Sequence, residues 1–255
     1  MLSTKHVSQQ RLVHYKSEAF DDEDQALQLY EWDRDLSAAF YRDIAIVEVA
    51  LRNALDRALT DKFGERWDLL SSALFDQRTW KGICEAWERL PSSVRDRTGK
   101  SGKTRGRLVA SCMFGTWANM LDKGSSGESQ NVVVGWSHEK VWDKNTLLVA
   151  FPGGQLIANS EDHAEFNRSW CYIQVHEVHV LRNRIAHHEP LIRGYPLPGT
   201  GNSSSPAVRR SAEQGFDAVL RLAAMIDRDL TSYLEATTRV AQLLESRPSL
   251  KPDSP

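Results

Sequence analysis

Four of the eight histidines fall within fifteen residues, in the run His176-Glu177-Val178-His179-Val180-Leu181-Arg182-Asn183-Arg184-Ile185-Ala186-His187-His188-Glu189-Pro190. Imidazole exchanges a proton near neutral pH, and a guanidinium stays cationic and offers a planar fork of donors to a phosphate. Placed together, the two could cleave a phosphodiester, the imidazole moving the proton and the arginine neutralising charge on the phosphoryl oxygens. With RNA the neighbouring 2′-hydroxyl can itself attack, so this chemistry needs neither a metal nor any other cofactor. One histidine cannot serve as base and acid in a single concerted step, whereas a two-fold dimer would bring two histidines and two arginines to one cleft.

Two other readings of the cluster stay open beside that one. The run could be a solvated polar helix end whose histidines are simply hydrogen-bonded. It could also hold a metal, but His176-Glu177-Val178-His179 spaces its histidines three apart, not four, with no thiolate and no third ligand at a familiar spacing. No metal is expected.

Position on a helix decides which of these residues can meet. At about 100° per residue His176 and His179 lie near one face, while Arg182 and His187 would be about 140° apart on an unbroken helix. Both can address one site only if the helix ends near His187, and Pro190 favours that, because the residue before a proline is pushed out of the helical region. The apolar points Phe166, Ile173, Val178, Leu181 and Ile185 predict a helix over about 161–187.

Elsewhere the same periodicity recurs. Leu36, Phe40, Ile44, Val47, Leu51, Leu55, Leu59 and Phe63 predict one long helix, or two consecutive ones, over about 25–63, with Gly64 as the stop. Residues 1–24 read as a lead-in or one loose helix. A shorter helix is expected at about 76–90, another at 108–121, and a last one at about 207–245 before a frayed tail from 247. Residues 122–162 form an insertion without clear period, and Gly194–Pro206, with three prolines and three glycines, reads as a loop. Together these predict an all-α helical bundle with an elaborated central insertion.

Composition narrows the function classes. The chain has 255 residues, 41% of them apolar, and its 32 Lys and Arg face 34 Asp and Glu for a formal charge of -2, so no overall basic field draws in a polyanion and any nucleic-acid contact must be local. Cys84, Cys112 and Cys171 are widely spaced and read as buried thiols. No run of 18 apolar residues exists, and the first thirty residues carry His6, Arg11, His14 and Lys16 where a secretory leader needs an apolar stretch, so a cytoplasmic protein without membrane contact is expected.

Further polar groups admit both a structural and a functional reading. Glu48 and Arg52, four apart, could pair on a helix surface or support the cleft, and Arg52-Asn53 echoes Arg182-Asn183 without a following histidine. Arg95, Arg97, Lys100, Lys103, Arg105 and Arg107 lie in what reads as a flexible basic connection that could meet RNA phosphates. Gly102-Lys103-Thr104 ends like a phosphate-binding loop, but that loop needs glycine where Arg97 stands and a preceding strand. Trp80, Trp87 and Trp117 read as core, while Trp136 and Trp142 could stack on bases.

Arg182-Asn183 followed by His187 after the intervening positions resembles the arginine, polar residue and histidine signature of HEPN domains, helical-bundle ribonucleases and nucleotide-binding domains of prokaryotic defence systems. The block Leu181–Pro190 further resembles the corresponding block of the Abi-like (abortive phage infection) family. Tyr30–Leu36 with Glu48–Leu55, and Leu108–Trp117 with its Phe114-Gly115-Thr116-Trp117 segment, resemble two more of its blocks in the same order. The resemblance implies a HEPN-type all-α fold, a homodimer with a composite cleft, and metal-independent RNA cleavage leaving a 2′,3′-cyclic phosphate. Carried over residue by residue, it implies Arg182 and His187 as catalytic residues and Asn183 orienting them. His188 adjoins His187 and could share its role, and a toxic activity would call for control by an antitoxin or regulatory protein.

Overall fold

The apolar residues spaced three and four apart from Ala26 to Leu59 are buried along one continuous helix in the computed structural model, a run of 41 residues and roughly 60 Å. Asp22 starts this helix with both carboxylate oxygens, one accepting from the backbone N–H of Gln25 and the other from its side-chain amide. Gly64, at φ +86°, ends it. The structure describes residues 2–95, 102–129, 132–135, 137–201 and 205–250, with the backbone alone for 102, 103, 126–129 and 132–135. Arg97, Lys100, Trp136 and the Lys103 side chain lie outside the described residues.

The fold is all-α. In chain order the helices are α1 (Gln9–Glu18), α2 (Glu23–Phe63), α3 (Ser71–Leu74), α4 (Gln77–Glu88), α5 (Gly102–Ser111), α6 (Phe114–Leu121), α7 (Lys144–Ala150), α8 (Gly154–Asn159), α9 (Arg168–Ala186), α10 (Ala212–Ile226), α11 (Arg228–Thr237) and α12 (Val240–Glu245). Two antiparallel pairs accompany them: β1 (Ser126–Ser129) with β2 (Val132–Gly135), and β3 (Tyr195–Pro196) with β4 (Arg209–Arg210). No helix among the described residues is long and apolar enough to cross a membrane.

The chain divides into two compact units. The first comprises Met1–Ala45, Val180–Leu220 and Leu234–Pro255. Its core holds Leu12, Tyr15, Leu29, Leu36, Phe40, Leu181, Leu191 and Val219, and the Phe40 ring meets Phe216 edge on. Residues 9–18 belong to this core: Ser8 caps α1, and Leu12 and Tyr15 are fully buried. Gly215 lets α10 approach α9 and the β3 strand, since a Cβ there would lie 3.1 Å from both Leu181 and the Tyr195 hydroxyl.

The second unit comprises Ile46–His179 and Arg221–Tyr233. Trp67 and Trp117 pack edge to face within it, 6.3 Å apart. Arg168, almost fully buried, donates to the Leu121 carbonyl at the C-terminal end of α6, where the helix dipole favours a cation. Lys62 donates to the carbonyls of Lys140 and Val141 and to Asp143, the N-cap of α7, and this pairing with the amide of Thr146 holds the Asp143 carboxyl down at about 2.

Several sequence expectations need correcting. The basic stretch up to Arg107 is not all connection, because α5 already begins at Gly102. The C-terminal periodicity does not run through one helix. Asp227 interrupts it, its carboxylate accepting from the Asp229 N–H, and Thr238 interrupts it again, its hydroxyl accepting from the Val240 N–H. The Gly194–Pro206 stretch contributes β3. Trp142 cannot stack on bases: it is fully buried, with its indole N–H donating to the Met120 carbonyl. Trp80 is 41% exposed and, with Trp87, lines a surface groove of about 330 Å³, so it is not core.

Candidate functional site

The helical run that carries Arg182 stops at Ala186. His187 makes the last α-helical hydrogen bond, its N–H donating to the Asn183 carbonyl at 3.0 Å. His188 then turns left-handed at φ +56°, its N–H reaching the Ile185 carbonyl and the Glu189 N–H reaching the Arg184 carbonyl. This is the Schellman closure, in which the left-handed residue is usually glycine. Its customary apolar contact between the two flanking side chains is replaced by an ion pair between Arg184 and Glu189.

Three side chains of the same unit pin the chain beyond the stop. Arg11 of α1 donates to the His188 carbonyl at 2.8 Å, Arg34 of α2 donates to the Glu189 carbonyl, and Asp33 accepts from the Leu191 N–H at 2.9 Å. Asp33 is fully buried and also accepts from the Tyr15 hydroxyl at 2.7 Å while pairing with Arg34. Burial, reinforced by the Asp33 charge, pushes the Tyr15 hydroxyl far above its ordinary range, so it remains a donor. Thus Asp33, within the Tyr30–Leu36 block, is bonded directly to the residue after Pro190.

On the helix itself, Arg182 and Asn183 are half-buried and Arg182 donates to the Asn183 side-chain oxygen at 3.3 Å. His187 and His188 are exposed. A cavity of about 510 Å³ is bounded by Arg34, Ser37, Ala38 and Tyr41 from α2 and by Ile185, Ala186 and His188. In its wall the Ser37 hydroxyl and the Arg34 Nε are buried and have no hydrogen-bond partner among the described residues.

The remaining residues singled out from the sequence are placed as follows. His176 and His179 belong to the second unit, their rings 6.3 Å apart, and His179 packs on Phe114. Gly115 leaves room for it, because a Cβ there would stand 3.2 Å from His179 Nε2. Burial lowers the His176 pKa against the opposing pull of Asp122. Glu48 and Arg52 also lie in the second unit, where Arg52 donates to the Ala110 carbonyl. Arg105 is committed to the Glu65 carbonyl and, at 3.8 Å, to Asp56, whereas Arg107 is exposed and Arg95 half-buried.

Sequence reasoning missed Asp33 and Tyr15 as anchors of the site segment, and Arg11 and Arg209 as cations beside it. No local pattern could have found them, since each acts across a large separation in the chain. Comparison with family models, with curated proteins and with solved structures returns no match.

Proposed function

We propose that the chain is a metal-independent endoribonuclease of the Abi-like HEPN type, acting in phage defence. The observation that supports the reading is the helix end: α9 stops at Ala186, four residues after Arg182, which is bonded to Asn183, and the exposed His187 and the left-handed His188 follow at once. His187 itself still makes the last helical hydrogen bond, so in this reading the cleft is completed by the arginine and histidine of a two-fold mate.

In this reading the 2′-hydroxyl of the substrate attacks the adjacent phosphorus as His187 removes its proton. The P–O5′ bond breaks, the leaving 5′-oxygen takes a proton from the second histidine of a homodimer, and a 2′,3′-cyclic phosphate remains. Arg182 neutralises the charge that develops on the phosphoryl oxygens, and Asn183 orients Arg182. His188 supports His187. The activity is toxic to the cell that makes it, which calls for a restraining partner such as an antitoxin.

Cleavage of a defined RNA in excess EDTA tests the reading, with a second substrate carrying 2′-O-methyl groups. Cutting of the first only, with cyclic phosphate ends, is the expected outcome; cutting of both, or loss of cutting in EDTA, refutes the mechanism. A second reading, a non-catalytic RNA- or protein-binding module, is favoured by the helix-capping arrangement, which accounts for His188, Arg184 and Glu189 without chemistry. RNA bound but left intact in the same assay selects it.

A further inference from the structure

A second concavity of the first unit adjoins the pinned segment. It has a volume of about 890 Å³ and is bounded by Ser8, by Gln10, Arg11 and His14 of α1, by Glu189, Pro190 and residues 192–196, and by Arg184 and Arg209. Four arginines, Arg11, Arg184, Arg193 and Arg209, line it; Glu189 pairs with Arg184 and Glu18 with Arg193, which leaves an excess of two positive charges. In a chain whose formal charge is -2, this is a concentrated local excess of positive charge. The amino end of α1 adds to it, because the first turn of that helix carries no acidic residue to offset the dipole.

The groove is built rather than incidental. Arg209 donates to the carbonyls of Arg193 and Gly194 at 3.1 and 2.8 Å, and Arg193 is held by Glu18 and Ser17. Gly194 stands at φ +66° where a Cβ would lie 2.0 Å from the Arg210 carbonyl oxygen, so only glycine lets the wall pass this close to β4. These bonds use some of the five donors of Arg193 and of Arg209 and leave others for a ligand. Pro190, Ile192 and Pro196 contribute apolar surface between the cations.

We propose that this groove binds the phosphodiester backbone of single-stranded RNA. Planar guanidinium forks match phosphate geometry, the apolar lining suits sugar and base, and the groove shares Arg184, Glu189 and Pro190 with the segment that carries Arg182 and His187. The assignment rests on the ribonuclease reading for the choice of RNA over another polyanion.

The test is fluorescence anisotropy of a labelled uridine 20-mer across a salt series, with all proteins in a His187→Ala background so that the probe survives. Arg193→Gln with Arg209→Gln should weaken binding roughly tenfold or more and reduce the salt slope by about 1.4, the share of two phosphate contacts on a single strand. The paired lysine variant, Arg193→Lys with Arg209→Lys, keeps the charge and should keep most of the slope, which guards against a loss that only reflects misfolding. Glu189→Gln should act in the opposite direction and tighten binding severalfold.

Equal affinity and slope in the parent and the glutamine pair would overturn the groove. So would polyglutamate binding with that arginine dependence while RNA is ignored, which would assign the groove to an acidic protein segment. If wild-type protein binds RNA through these arginines yet never cuts it, the nuclease reading fails and the groove stands. If the glutamine pair in an otherwise wild-type chain cuts RNA with unchanged KM, the groove fails and the nuclease reading stands.

Discussion

A histidine in the left-handed region is an uncommon choice where glycine would serve, and His188 occupies that position at the end of α9. The left-handed conformation costs a residue with a Cβ roughly 1–2 kcal/mol, part of which glycine returns through its freer unfolded chain. His188→Gly should therefore stabilise the protein by roughly 0.5–1 kcal/mol in chemical denaturation. If His188 supports the reaction as proposed, the same variant cleaves RNA more slowly while being more stable. A second histidine sets a pH dependence. His138 is fully buried with Nε2 accepting from the Asp76 N–H at 3.1 Å, and burial pushes its pKa down despite the nearby carboxylates of Asp76 and Asp122. The unfolded chain, with an imidazole near 6.5, then binds more protons than the folded one, so its contribution is complete above about pH 6.5 and is lost as pH falls from there toward the folded-state value, by up to about 1.4 kcal/mol per pH unit. His138→Gln, which keeps an acceptor but cannot titrate, should flatten the fall of the thermal midpoint between about pH 6.5 and 5.5, and an unchanged slope would contradict this.

Among the elements, the end of α9 was legible in the sequence because Pro190 forbids continuation, and the end of α2 because Gly64 can turn left-handed. The breaks at Asp227 and Thr238 were not, since both residues sit inside an apolar period that continues on either side and act only through side-chain bonds to the backbone. Trp80 was misplaced for a related reason: periodicity says which face of a short helix is apolar, not which apolar face finds a neighbour, while Trp142 lies in a stretch with no period to read. The candidate segment was visible as a cluster, but its anchoring was not, because Asp33 and Leu191 meet across 158 positions of sequence. Removing that anchor strands the Leu191 N–H and the Tyr15 hydroxyl and leaves Arg34 without its carboxylate. Asp33→Ala should lower stability by about 2–4 kcal/mol, at the lower end if solvent reaches the partly exposed Arg34. Within the folded fraction, RNA cleavage should fall as well, because residues 188–191 lose a fixed position; full activity per folded molecule would show the anchor to be irrelevant to the site.

For the whole molecule, charge balance conceals local contrast. A formal charge of -2 argues against a protein-wide field, yet four arginines share one groove of the first unit, so association with RNA should depend steeply on salt while the protein as a whole shows no general affinity for polyanions. The all-α class was readable from periodicity alone, whereas the division into two compact units was not, since α2, α9, α10 and α11 each contribute residues to both. If the active species is a homodimer with one composite cleft, then mixing Arg182→Ala and His187→Ala chains and allowing exchange should restore part of the activity that neither variant has alone; no recovery despite measured exchange would argue against a shared cleft. The claim on which all of this turns is that one guanidinium and one imidazole from a single helix end act on the same scissile phosphate. Single-turnover RNA cleavage by wild type, Arg182→Ala and His187→Ala, each verified as folded, measures it directly. Each variant should lose about 10²-fold or more in rate with RNA binding retained, as expected for acid–base and charge-stabilising groups; equal rates in all three proteins would contradict a shared site.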